Sequence, residues 1–142
     1  MAEGLARAIW DRCYREKGDL RVSSAGVAAW SGEAASPKAI RALMSKGISL
    51  ESHRSRILTR EIVEGAGLIL TMTGNHLEQI LQNHPQVRDR VFTLTEFTGA
   101  KGDVTDPYGG SQEVYDHCAG NLERLITDAL KRIADGSGGY LK

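Results

Sequence analysis

Leu68-Ile69-Leu70-Thr71-Met72, flanked by Gly67 and Gly74, is an almost unbroken apolar run of strand length. A strand with water on one face alternates apolar and polar residues, whereas a strand buried on both faces reads as a continuous hydrophobic run, the mark of a parallel sheet. Asn75 can cap a helix over His76 to Asn83, which must stop before Pro85. Val91-Phe92-Thr93-Leu94 then reads as a further strand. Upstream, Leu20 to Ser24 is a short strand-like segment. Ser36-Pro37 starts a helix that carries Ile40, Leu43 and Met44 to Gly47, and a short helix spans about Thr59 to Glu64. Ala2 to Glu16 spaces Leu5, Ile9, Trp10 and Cys13 as one helical face. Gln112 to about Ala134 does the same with Val114, Tyr115, Cys118, Leu122, Leu125, Ile126, Leu130 and Ile133. Strands alternating with helices predict an α/β domain, a parallel sheet between two helical layers. Ligands of such sheets bind beyond the carboxyl ends of the strands, so the loops after Ser24, Met72 and Leu94 are the places to look for chemistry.

The totals agree with one globular domain over residues 1–142, with 135–142 expected to be a flexible tail. No apolar run approaches the roughly 20 residues of a membrane span, and residues 1–7 have no signal-peptide core, so a soluble, cytoplasmic protein is expected. Eighteen basic against 18 acidic residues leave no net charge, which argues against nucleic acid as a partner. Cys13 and Cys118 have neither metal-ligand nor disulfide spacing, so no metal and no cofactor are expected.

The strongest local signal is Asp103-Val104-Thr105-Asp106-Pro107-Tyr108-Gly109-Gly110-Ser111. Proline holds the residue before it extended, so the Asp106 carboxyl can point into a pocket rather than cap its own turn, and there it could protonate a leaving group. Asp, Pro and Gly are also the commonest turn residues, and a solvated turn is the plainer reading of composition alone. Ser24-Ala25-Gly26 before Trp30 offers a loop of small residues with one large ring, either a pocket wall or an anchor onto the core. In Ser52-His53-Arg54-Ser55-Arg56, His53 could donate to an active-site loop, and capping with solvated charge is the alternative. Cys118 and Arg124 have the Cys-x5-Arg spacing of cysteine phosphatases. Leu122, Leu125 and Ile126 nevertheless continue a helical stripe through the match, and a helix interior has no free N–H groups with which to grip an oxyanion. Both cysteines read as core or near-core residues, and no nucleophile remains.

Taken together, Met-Ala-Glu-Gly-Leu at 1–5, Ser24-Ala25-Gly26 with Trp30, His53-Arg54-Ser55-Arg56, Leu68 to Thr73 with His76, and Asp106-Pro107-Tyr108-Gly109-Gly110-Ser111 resemble the low-molecular-weight protein phosphatases. That family includes tyrosine phosphatases, bacterial arginine phosphatases and related arsenate reductases. The resemblance implies a three-layer α/β/α fold with strand order 2-1-3-4 and hydrolysis of a phosphoprotein through a cysteinyl-phosphate. It implies Asp106 as general acid and then base, Trp30 and Tyr108 in the substrate pocket, and Ser24 and His53 as supports of the phosphate loop. In the family, a first strand and a Cys-x5-Arg-Ser-Pro loop stand directly before the Met-Ala-Glu helix. Neither is present in these 142 residues, and Gly67 replaces a frequent Asp.

An internal Met taken for a start, or a real truncation, would account for the missing strand and loop. The chain as it stands is expected to be inactive. A pseudophosphatase or protein-interaction module is the alternative. Arsenate reduction would need redox cysteines near residues 70 to 80, and there are none. The strands at Leu20 and Leu68 would each pair with the absent strand, so an open slot is expected that could promote a homodimer or strand exchange. Asp106-Pro107-Tyr108-Gly109-Gly110 resembles the arginine-phosphatase branch, while the choice between phosphotyrosine and phosphoarginine also depends on the absent loop.

Overall fold

The computed structural model describes residues 1–27 and 30–136. The expected tail lies outside the described residues from position 137 onward. Six α-helices and two strands are present among them: α1 Ala2–Cys13, α2 Pro37–Met44, α3 Arg60–Gly65, β1 Ile69–Thr71, α4 Gly74–Asn83, β2 Val91–Thr93, α5 Leu94–Thr98 and α6 Gln112–Ala134. The strands pair in parallel, Ile69 beside Val91 and Thr71 beside Thr93. Alternation along them serves two cores. Leu70 and Phe92 pack on a large cluster built from α1, α2, α5 and α6. Ile69 and Val91 face a smaller one made by Val63, Ile80 and Val87. Helices therefore cover both faces of an α/β sheet.

The helices start where their side chains satisfy the first free N–H groups. The Ser36 side chain accepts from Ala39 with Pro37 next in line, and the Ser111 side chain accepts from Val114. Helix α4 begins two residues before His76, because Thr73, not Asn75, is its cap. Helix α5 was not expected. Thr93 and Glu96 close a reciprocal capping box directly after β2, and Gly99 ends the turn at φ 78, in the left-handed region.

Leu20 to Ser24 is not a strand. It lies beside no ladder partner among the described residues; the Val22 carbonyl instead accepts two bonds from the Arg7 guanidinium, at 3.1 and 2.8 Å. Just beyond it, Gly26 forms an isolated parallel bridge with Ile57. Three side chains placed on inner faces are turned outward: Cys13, Met44 and Val114 are exposed. Each lies in the first or last turn of its helix, where the apolar stripe runs past the edge of the core. The rest of the α6 stripe, from Tyr115 through Cys118 and Leu122 to Ile133, is buried against α1, α2 and α5 as its period requires.

Candidate active site

The loop that carries Asp106 is fastened to the carboxyl end of β1. Val104 is buried and its N–H donates to the Met72 carbonyl at 2.8 Å, while Asp103 Oδ1 accepts from the Gly74 N–H at 3.0 Å. The other side is held by α2. Lys38 Nζ donates to the Gly110 carbonyl at 2.6 Å, and Gln112 Nε2 donates to the Lys38 carbonyl at 3.0 Å while its Oε1 accepts from Arg41 Nε at 2.9 Å. Between these fastenings Asp106 is exposed, and its Oδ1 accepts the Tyr108 N–H at 3.0 Å. The carboxyl thus caps its own turn, contrary to the expectation drawn from Pro107, because the bend at Pro107 brings the Tyr108 N–H back over it.

Two elements converge on Glu3 in the first turn of α1. Ser24 Oγ donates to Glu3 Oε1 at 3.0 Å, and His53 Nδ1 stands 3.7 Å from Glu3 Oε2. Arg7 lies one turn on, 3.5 Å from the same oxygen. Ser24 and His53 are thereby brought together through a carboxylate, with only 12% of the Glu3 side chain exposed. Glu3 was not among the expected site residues. Its signal was an acid in the first helical turn, where negative charge complements the helix dipole.

Trp30 is 78% exposed, so it does not anchor its loop on the core. Its backbone does that instead: the Trp30 carbonyl accepts from Ser55 Oγ, and Gly32 N–H donates to the Ser55 carbonyl at 2.8 Å. Tyr108 is 88% exposed, and neither ring stacks on another among the described residues. Two open cavities of about 490 and 500 Å³ flank α1, and neither is lined by Asp106, Trp30 or Tyr108.

Cys118 sits inside α6 with its thiol 3.7 Å from the Thr105 carbonyl. Burial pushes its pKa up, the Asp106 carboxylate adds to that, and the amino group of Met1 opposes both. These interactions put Cys118, Asp106 and the start of α1 in one electrostatic neighbourhood. A reactive cysteine needs the opposite setting, cationic and thiolate-stabilising. Arg124 points away and donates to Asn121 Oδ1 at 2.6 Å. The Cys-x5-Arg spacing is therefore incidental. No group of three His, Cys, Asp or Glu side chains lies close enough to hold a metal ion, and no helix is long and apolar enough to cross a membrane, among the described residues.

A parallel α/β sheet with an Asp-Pro loop at its carboxyl edge and a helix start beside it defines an α/β protein whose site lies beyond the strand ends. The chain belongs to the low molecular weight phosphotyrosine protein phosphatase family, whose profile matches residues 1–137. It is 42% identical over 134 residues to a protein-arginine-phosphatase of Bacillus subtilis (strain 168), covering 94% of this chain and 87% of that one. It is 33% identical over 127 residues to the low molecular weight protein-tyrosine-phosphatase Etp of Escherichia coli (strain K12), covering 89% and 85%. A structure of the arginine phosphatase YwlE, a Cys-to-Ser mutant with phosphorylated active site serine, superposes with TM-score 0.88 at 39% identity, covering 96% and 88%.

Proposed function

We propose that this chain carries the acid/base and substrate-pocket part of a phosphatase acting on phosphorylated protein side chains, phosphoarginine in the first place. Asp106 is the proton donor and acceptor: its carboxyl protonates the leaving nitrogen or oxygen as the P–N or P–O bond breaks, then takes a proton from the water that hydrolyses the phospho-enzyme. The phospho-enzyme is a cysteinyl-phosphate, in keeping with the phosphorylated serine that replaces a cysteine in the YwlE mutant. Trp30 and Tyr108, both exposed, close over the substrate side chain, and Glu3, Ser24 and His53 hold the start of α1 in place. The identity of 42% to arginine phosphatases against 33% to Etp favours the arginine branch, as does Asp106-Pro107-Tyr108-Gly109-Gly110.

The observation that carries the second half of the reading is the state of the cysteines. Cys118 is buried with a raised pKa, and Cys13 is on an exposed helix face, so neither thiol has the cationic setting that favours a nucleophilic thiolate. The reading therefore expects no turnover from these 142 residues by themselves. Release of phosphate from an aryl phosphate, measured with Cys118→Ser and Asp106→Ala beside the parent chain, tests this. All three should sit at the uncatalysed rate, and activity abolished by Cys118→Ser would overturn it. Among the described residues β1 pairs only with β2, and its other edge favours a homodimer or strand exchange; a monomer at every concentration in sedimentation would remove that part of the proposal. A non-catalytic interaction module is the second reading, favoured by the same absence of a nucleophile.

A further inference from the structure

Charge is balanced over the whole chain, 18 against 18, yet not in the two cavities that flank α1. The two cavities flanking this helix share Arg7 and Arg56 as common walls, and Arg21 and Arg54 complete their basic lining. Against these four arginines stand only Glu3 and Asp11. Glu3 is already engaged by Ser24, Arg7 and His53. Arg21 and Arg56 are exposed, and neither side chain makes an ion pair or hydrogen bond among the described residues. The groove between them has the buried Trp10 ring and the half-buried Leu20 as its floor and the Ser23 side chain on its rim.

Free guanidinium groups grip carboxylates with paired, planar hydrogen bonds, and an apolar floor accepts the stems of the side chains that carry those carboxylates. We propose that this groove docks an acidic segment of a protein substrate, chain residues rich in Asp or Glu rather than the phosphorylated residue itself. This goes beyond the phosphatase reading and needs no nucleophile, so it is tested by binding alone.

The probe is a fluorescein-labelled, unphosphorylated peptide with four consecutive Glu residues, read by fluorescence anisotropy on the full chain. A Gln-substituted peptide and a uridine oligonucleotide of equal length serve as comparisons. The double variant Arg21→Ala/Arg56→Ala should weaken the acidic peptide at least about tenfold, with unchanged circular dichroism because neither side chain is buried. Raising salt from about 20 to about 300 mM should weaken the parent comparably, since the Debye length shrinks from roughly 20 Å to under 10 Å. Equal affinity for the Gln peptide, an unchanged affinity in the double variant, or tighter binding of the oligonucleotide through the same arginines would each overturn the proposal.

Discussion

Gly110→Ala places a methyl group where the loop carrying Asp106 has no room for it. A Cβ built there meets the Pro107 carbonyl oxygen at 2.9 Å and Val114 Cγ1 at 2.9 Å. Rotation of the exposed Val114 side chain can relieve the Cγ1 contact but not the one to its Cβ, at 3.0 Å. The carbonyl cannot move away, because it accepts the Gly110 N–H at 2.8 Å and closes the turn. The same residue's own carbonyl holds Lys38 at 2.6 Å, so a shift of Gly110 also loosens the tie to α2. Overpacking of this kind costs about 1–3 kcal/mol. Replacing Gly restricts the unfolded chain and returns about 0.4–1 kcal/mol. The net loss is about 1–2 kcal/mol, which for a domain of this size lowers Tm by roughly 3–8 °C. Gly67→Ala is the matched control, since nothing lies within 4 Å of its Cβ position. Thermal melts followed by circular dichroism compare the two. A Gly110→Ala melt at or above the parent's would refute the assigned contact geometry, and so would an equal drop in Gly67→Ala.

Glu3→Ala removes a carboxylate shared by Ser24, Arg7 and His53; with one hydrogen bond to a charged, little-exposed group at about 1.5–3 kcal/mol and weaker ion pairs beside it, stability should fall by about 2 kcal/mol in urea titration. Ser24→Ala should cost less and should add almost nothing on top of Glu3→Ala, because both delete the same bond. Leu122→Ala, at a 4% exposed position of α6, should cost about 2–5 kcal/mol. At neutral pH, Ellman's reagent should modify the exposed Cys13 at once and Cys118 only on unfolding. Because the folded state raises the Cys118 pKa above its ordinary 9.0, its protonated form supports the fold fully below that pH and the contribution is lost as pH rises beyond it. Cys118→Ala should flatten the alkaline decline in Tm.

The helices were legible in the sequence because their signals are local. Ser36-Pro37 announced α2, and an apolar stripe along the 23 residues of α6 announced that helix whatever surrounded it. The capping box Thr93-x-x-Glu96 was equally local, and α5 was missed only because Val91-Phe92-Thr93-Leu94 read as one strand. Leu20 to Ser24 failed for a different reason. A strand exists only with a neighbour, and no periodicity within five residues reveals whether one is there. The same limit applied to the site. Asp106 and its loop were conspicuous by composition, and the incidental nature of Cys118-x5-Arg124 followed from the helical stripe. The convergence of Ser24 and His53 on Glu3 joins positions about 20 and 50 residues apart, which only the folded chain brings together. The turn closed by Asp106 on the Tyr108 N–H was likewise a matter of geometry that Pro107 alone did not decide.

In the proposed reading Asp106 is the acid and neither Cys13 nor Cys118 is the nucleophile. Phosphate release from an aryl phosphate and from a phosphoarginine peptide tests this, comparing the 142-residue chain with a fusion that carries a strand and a Cys-x5-Arg-Ser-Pro loop ahead of Met1. The chain alone should release phosphate no faster than buffer. The fusion should turn over both substrates, and Asp106→Ala within it should lower kcat by about 10²–10⁴-fold. Turnover by the unfused chain, or a fusion indifferent to Asp106→Ala, would contradict it.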